Sequence, residues 1–308
     1  MPDARPILVT GSHRSGTGWV GQVIGASPSP KVAYLWEPFS LLHRPGICDA
    51  VFPYWFPYIR NENASKVQGS IADMLAFRYK TGAELREVRT PKDVARLLRD
   101  RRGFAHYRRE NARPLLKDPV AVFSAEWLCD TFPMDVIVLI RHPAAFSYSI
   151  KRYDWTHPFD HFVQQPLLMR DLLAPFDGAI RTAAVSPPPV LDQAILLWNV
   201  IHHAIRQFQD RRPDWLFLRL EDIARDPIGG FRKIYERLGL TFDQGVVARI
   251  EETSGASNRE EATSRSDVRR NSQASVIAWK RCLSSQEIAT IRTGVEPLAG
   301  EFYSDADW

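Results

Sequence analysis

The stretch Ile7-Leu8-Val9-Thr10-Gly11-Ser12-His13-Arg14-Ser15-Gly16-Thr17-Gly18-Trp19 joins an apolar run to a compact polar loop and then to an apolar-periodic segment. That order reads as strand, tight loop and helix. The loop's N–H groups can turn inward, and the new helix offers its unpaired N–H groups and positive dipole end to the same spot, so the three together can hold a phosphate-like anion. Gly11 and Gly16 permit the backbone angles and the close approach that such a loop needs. They have the spacing of the triphosphatase loop Gly-x-x-x-x-Gly-Lys-Ser/Thr, but Thr17 and Gly18 stand where that loop has its phosphate-binding lysine and its magnesium-binding hydroxyl. The cation lies inside the loop instead, as Arg14, whose guanidinium fork spans two oxygens of one anion. Taken alone, the stretch also suits an ordinary strand-to-helix turn.

Other residues of the same kind stand at the ends of other apolar runs. Val32-Ala33-Tyr34-Leu35-Trp36 reads as a second strand that delivers Glu37-Pro38, and open α/β sheets place their ligands at the carboxyl ends of strands. Arg113-Pro-Leu-Leu-Lys117-Asp118-Pro119 is a short strand ending in a cation, followed by a helical run from Val120 to Thr131. Asp135-Val-Ile-Val-Leu-Ile140 is a continuous apolar run of the kind buried in a parallel sheet, and it ends in Arg141-His142-Pro143. Arg141 at a strand end and Ser149 two turns into the next helix can face one anion, an arginine and a hydroxyl being a suitable pair for a terminal phosphate.

These elements predict one α/β domain over residues 1–308, a three-layer arrangement with a central parallel sheet flanked by helices, like that of P-loop nucleotide kinases. The first helix is expected to end near Ala26, because Ser27-Pro28-Ser29-Pro30 cannot continue it. Helices are expected over Val67–Tyr79, Lys92–Arg109, Val190–Gln209 and Ser284–Leu298, and a further buried strand over Trp215–Leu220. Residues 40–66, with the aromatic run Val51-Phe-Pro-Tyr-Trp-Phe-Pro-Tyr-Ile59, and residues 154–189 read as insertions on the acceptor side. His157 and His161 lack metal-ligand partners at convincing spacing and are expected at the surface or lining a pocket. Residues 254–273 lose their apolar residues and suit either a linker or a mobile lid.

Three of these elements together resemble the sulfotransferase family. Arg-Ser-Gly-Thr-x-Trp after a strand is similar to that family's 5′-phosphosulfate loop. Arg141, Pro143 and Ser149 match its 3′-phosphate element, and Leu-Leu-Lys-Asp-Pro resembles a segment between the two. Arg270-Asn271-Ser272 before Trp279-Lys280 resembles a run that folds over the nucleotide in bacterial and carbohydrate members. The resemblance implies 3′-phosphoadenosine 5′-phosphosulfate (PAPS) as donor, adenosine 3′,5′-bisphosphate (PAP) as product and no metal. It assigns donor binding to His13, Arg14, Ser15, Gly16, Thr17, Gly18, Trp19, Arg141, Ser149, Arg270, Asn271 and Ser272, with Trp19 stacked on adenine.

Sulfuryl transfer builds negative charge on the departing oxygen and requires a base for the acceptor's proton. Arg14 and Lys117 are the candidates for that charge. The histidine that the cytosolic small-molecule members carry two residues beyond the lysine is replaced here by Pro119. The chain resembles the carbohydrate and tyrosyl-protein types more closely, which use a Glu after the second strand, the place of Glu37. His43 and His106 are the next bases to consider. The competing readings are a nucleotide-dependent kinase, which would want the missing loop lysine and magnesium-binding hydroxyl, and a nucleotide-binding module without catalysis.

The whole chain narrows this further. Forty Lys and Arg against 36 Asp and Glu give a formal charge of +4, and no long Lys/Arg block appears, which suits a nucleotide site better than a nucleic-acid surface. No apolar run approaches the length of a bilayer span, and the first strand begins within a few residues of Met1, so a cytoplasmic protein is expected. Cys48, Cys129 and Cys282 are too few and too far apart for a disulfide framework. The acceptor is not specified by any of these features.

Overall fold

Five short runs form one all-parallel sheet in the computed structural model, which describes residues 5–260 and 268–308. They are β1 (Ile7–Gly11), β2 (Val32–Trp36), β3 (Arg113–Lys117), β4 (Asp135–Ile140) and β5 (Leu216–Arg219), in the spatial order β2-β3-β1-β4-β5. From β1 the chain goes to the edge position of β2, returns to β3 between the two, and then crosses to β4 and β5 on the other side of β1. That reversal opens a crevice beyond the carboxyl end of β1, the usual ligand position in such sheets. β1, β3 and β4 are buried at almost every position because helices cover both faces of the sheet.

Two apolar layers result. On one face, α1 (Thr17–Ile24) packs Val20, Val23 and Ile24 with Ile7, Val9, Leu115, Ile137 and Leu139. On the other lies the larger layer, where α2 (Pro143–Arg152) and the long α3 (Val190–Arg211) contribute Phe146, Ile150, Trp198, Ile201 and Phe208. The helix at Pro91–Arg109 starts one residue before its expected position, because Thr90 and Asp93 form a reciprocal capping box with Pro91 in the first turn.

Several expected boundaries move for identifiable reasons. The run Val67–Tyr79 is helical only over Gln68–Leu75, and Phe77 just beyond it takes a left-handed φ of 53°. Val120–Thr131 divides into a 3-10 segment, Pro119–Ser124, and an α-helix, Ala125–Thr131. β5 is half-buried rather than buried, since it is an edge strand with β4 as its one neighbour. Residues 154–189, expected as an acceptor-side insertion, place Phe159, Phe162, Leu168 and Leu173 in the larger core layer. His157 is buried there against Phe159 and Phe162, so its expected surface or pocket position is corrected.

Gly11 closes β1 with φ of +132°, and a Cβ there would lie 2.2 Å from the backbone oxygen of Leu139 on β4. Neither the angle nor the neighbouring strand can accommodate a side chain without moving. Gly11→Ala is therefore expected to cost about 3 kcal/mol of stability. Urea denaturation reads this directly, and an unchanged midpoint at unchanged slope would mean that the loop relaxes around the methyl group.

Candidate active site

Strand register brings the chemically capable residues to one rim. Trp36 is paired with Lys117 across β2 and β3, and the Glu37 N–H extends that ladder by donating to the Lys117 carbonyl at 2.9 Å. Lys117 is also level with Val9 of β1, so Glu37 and Lys117 emerge beside the loop that follows β1. Lys117 Nζ forms an ion pair and hydrogen bond with Glu37 Oε1 and lies 5.4 Å from the centre of the Trp36 ring. Arg14 and Glu37 both adopt left-handed φ, 65° and 44°. This conformation costs about 1–2 kcal/mol per non-glycine residue, and such strain is concentrated at functional sites.

A cluster of cations lies behind the loop. Arg14 Nε donates to Ser149 Oγ at 2.9 Å, and the guanidinium sits 4.7 Å from the centre of the Tyr153 ring. Arg141 emerges buried from β4, donates through Nη1 to the Arg14 carbonyl, and is held from behind by Trp198 Nε1 on its own carbonyl at 2.9 Å. Its Nε is buried with no hydrogen-bond partner. Burial, and next the Arg14 charge, push Arg141 down to about 10; burial and then Arg270 lower Arg14. The nearby Glu221 opposes this only from a distance, because its two oxygens accept from the His142 N–H at 3.0 Å and the Tyr303 hydroxyl at 2.9 Å. Three mutually repelling guanidinium groups around an unsatisfied buried N–H have the chemistry to hold an anion.

This rim opens into a pocket of about 760 Å³. At one end the start of α1, Gly16 to Trp19, faces Leu220, Ala224, Thr253 and Val276. Trp19 is fixed there by its Nε1 bond to Thr253 Oγ1 at 3.0 Å and by its edge contact with Phe231. The same pocket is lined by Glu37 and Lys117, the latter beside the Trp36 ring, and by Arg14, Leu42, Trp55 and Trp155. The first-turn N–H groups of Thr17, Gly18 and Trp19 have no acceptor within α1. A small recess of about 20 Å³ beside the pocket is lined by Arg14, Arg141, Ser149 and Arg270, among others.

Arg14, Gly16, Thr17, Gly18, Trp19, Glu37, Lys117, Arg141, Ser149, Arg270 and Ser272 thus converge as the sequence suggests. Three residues of the expected set have other duties. Ser15 turns both its N–H (3.2 Å) and its hydroxyl (2.5 Å) onto the Ser12 carbonyl, which closes the loop and leaves neither for a ligand. His13 lines the pocket, but its ring packs among Phe56, Phe146 and Trp155, and burial pushes its pKa down to about 3, so it brings no positive charge to an anion. Asn271 caps the helix Ser272–Ile277 through Oδ1 and donates to the Ala256 carbonyl, outside the pocket lining. The reserve bases are displaced as well. His43 bonds the Ser40 carbonyl at 2.7 Å, and His106 lies exposed beside Arg109; neither lines the pocket.

The expected lid is described only at its ends, residues 261–267 lying outside the described residues. Arg270 N–H donates to the Thr253 carbonyl at 3.0 Å and Asn271 N–H to the Arg259 carbonyl at 2.9 Å, so both ends are tied together beside Trp19. Asp118 is a residue whose part the sequence does not reveal. Fully buried, it accepts from Phe39 N–H at 2.6 Å and Val120 N–H at 3.1 Å, which fixes the turn carrying Glu37 against β3. Burial pushes its carboxyl up to about 7 although both N–H groups favour the charged form. An Asp directly after the last paired strand position, Lys117, is the available signal.

A parallel sheet with a glycine loop, a helix N-terminus and buried arginines at its switch point defines a P-loop-like α/β protein. The profile of the sulfotransferase family matches residues 6–244, and the chain belongs to that family. The sulfotransferase domain of the olefin synthase from Synechococcus PCC 7002 shares the fold with a TM-score of 0.53 at 16% identity, over 99% of this chain and 98% of that one. The sulfotransferase domain of the curacin biosynthetic pathway aligns with a TM-score of 0.48 at 12% identity, over 95% and 98% of the two chains. Carbohydrate sulfotransferase 1 of Danio rerio is 30% identical over 95 residues, which is 29% of this chain and 23% of that relative. The match therefore spans under a quarter of that curated relative. Among the described residues no helix is long and apolar enough to cross a membrane.

Proposed function

We propose that this chain transfers the sulfuryl group of PAPS to a hydroxyl or amine of an acceptor. The observation that carries the reading is the buried, unpartnered Nε of Arg141 set among guanidinium groups, an arrangement that suits an anionic ligand. The α1 N-terminus and Arg14 suit the 5′-phosphosulfate. Arg141 and the Ser149 hydroxyl suit the 3′-phosphate, and the apolar end around Trp19, Leu220 and Val276 suits the adenine. In this scheme the acceptor oxygen or nitrogen forms a bond to sulfur as the bond between sulfur and the 5′-phosphate oxygen breaks. Lys117 and Arg14 stabilise the charge gathering on that oxygen, and Glu37 takes the acceptor's proton. Oε1 of Glu37 holds Lys117 in place, which leaves Oε2 for the proton. The loop lacks the lysine and the magnesium-binding hydroxyl of a kinase, which favours this reading over ATP chemistry. Three free thiols, two of them buried, fit a reducing compartment such as the cytoplasm.

Calorimetry with PAP and AMP tests the donor reading. AMP lacks the 3′-phosphate that Arg141 and Ser149 would meet, and a charge-assisted contact is worth about 1.5–3 kcal/mol. PAP is expected to bind at least about tenfold more tightly than AMP. Equal affinities would overturn the assignment of the arginine cluster.

A further inference from the structure

Arg141 follows Ile140, the last paired position of β4, so the sheet no longer holds its peptide groups. Side chains do so instead. Trp198 Nε1 of α3 donates to the Arg141 carbonyl at 2.9 Å, and Glu221 Oε1, on the helix Leu220–Arg225, accepts the next N–H, that of His142, at 3.0 Å. One planar peptide group is thus fixed at both its oxygen and its nitrogen, which sets the direction in which the Arg141 side chain leaves the backbone.

Two consecutive residues, Phe302 and Tyr303, touch both of these holders. The Phe302 ring meets the Trp198 ring edge-on, with 6.2 Å between centres and 90° between planes. The Tyr303 hydroxyl donates to Glu221 Oε2 at 2.9 Å, and Tyr303 is buried. Arg219 anchors this segment by donating to the Phe302 carbonyl and to Asp307 Oδ2, each at 3.1 Å. The His142 ring is closed in by Trp279, stacked at 4.8 Å and 9°, and by Trp308, edge-on at 4.5 Å. Phe302, Tyr303 and Trp308 all lie beyond residues 6–244, the part that the family profile matches.

Both Glu221 oxygens are therefore occupied, while Arg141 beside it keeps a buried Nε with no partner. A carboxylate and a guanidinium that lie near one another away from water pair strongly unless other donors satisfy the carboxylate. Loss of the Tyr303 hydroxyl would free Oε2 for Arg141, and a carboxylate on that guanidinium would compete with an anionic ligand. Burial, and next Glu221, push Tyr303 far above the usual phenol range, so it remains a donor.

Resting on the sulfuryl-transfer reading, we propose that Tyr303 is a positioning residue for the donor: its hydroxyl keeps Glu221 on the His142 N–H and off Arg141, so that Arg141 stays aimed at the 3′-phosphate of PAPS. Tyr303 lines neither the pocket nor the recess beside it and acts through Glu221.

Calorimetry of the full chain with PAP and with AMP reads the 3′-phosphate contact apart from the rest of the nucleotide. Tyr303→Phe keeps the ring against His142 and Arg219 and removes the hydroxyl alone. It is expected to weaken PAP about tenfold and AMP by less than about twofold. Adding Glu221→Gln removes the competing charge and keeps an oxygen for the His142 N–H, so the double variant is expected to recover most of the PAP affinity. Phe302→Leu, which loosens Trp198 instead, is expected to give a smaller loss, again for PAP and not for AMP, and it keeps the test decisive if Tyr303→Phe folds poorly. A role in stability alone would weaken PAP and AMP together and would make the double variant worse than the single one; either result overturns the proposal. If the wild type binds PAP and AMP alike, the donor reading falls, and inorganic sulfate becomes the probe of Arg141. Unchanged sulfate affinity in Tyr303→Phe then overturns the role of Tyr303 as well, whereas a loss that Glu221→Gln restores upholds it.

Discussion

Glu37→Gln is expected to lower turnover about 100- to 10,000-fold, the usual cost of removing a positioned general base, while PAP affinity stays within about twofold. The geometry behind this is specific. Glu37 is held by its own backbone bond to β3, by the turn fixed on Asp118 and by Lys117, so its carboxylate is oriented before any acceptor arrives. Gln keeps the shape and one oxygen for Lys117 but cannot accept the proton. A role in shape alone would therefore survive the substitution, whereas a role in proton transfer would not. Near-normal turnover of Glu37→Gln with a demonstrated acceptor would make Glu37 structural. No histidine then replaces it readily, because His43 and His106 do not line the pocket and His13 is too weakly basic in its apolar surroundings.

Lys117→Met is expected to reduce single-turnover rate about 100- to 1,000-fold with a much smaller change in PAP affinity, since its interaction with the departing oxygen strengthens as charge develops. Met fills the volume of the buried aliphatic stem beneath Trp36 and so limits the packing loss. Lys117→Arg is expected to recover part of the rate by restoring the charge in a poorer geometry. Donor affinity measured beside the rate separates the roles: weaker donor binding at unchanged turnover would make Lys117 a positioning residue. Comparing Lys117→Met with Glu37→Gln and the double variant would show whether the pair acts as a unit, in which case their effects are not additive.

Much of the site was legible because strand ends announce themselves. Apolar runs ending in Glu37, Lys117 and Arg141 carry their polar residue at the point where a parallel sheet opens, and each strand appears within the expected range. Local chemistry also accounts for the Thr90 cap ahead of Pro91 and for the end of the helix Pro227–Leu238, where Gly239 takes a left-handed φ. Side-chain direction was not legible in the same way. His13 and Ser15 have the right types and the right loop, yet one turns into an aromatic cluster and the other closes the loop on Ser12. Residues 154–189 lack a clean period because their short helices bury scattered aromatics from several directions, so their place in the core was hidden.

The sequence by itself determined the elements and the chemical types at their ends, since hydrophobic period, proline and glycine act within a few residues of one another. It determined that an arginine, rather than a lysine and a hydroxyl, serves the glycine loop. Only the tertiary structure decided which of these groups meet. The strand order sets Glu37 beside Lys117, which is 80 positions away in the chain, and Arg14 beside Ser149, which is 135 away. It also decided which groups lose water: burial left Arg141 with an unsatisfied N–H, made His13 neutral and lined the mouth at Glu37 with tryptophan and leucine. Desolvation depends on everything packed around a group, and sequence neighbours are a minority of what packs there.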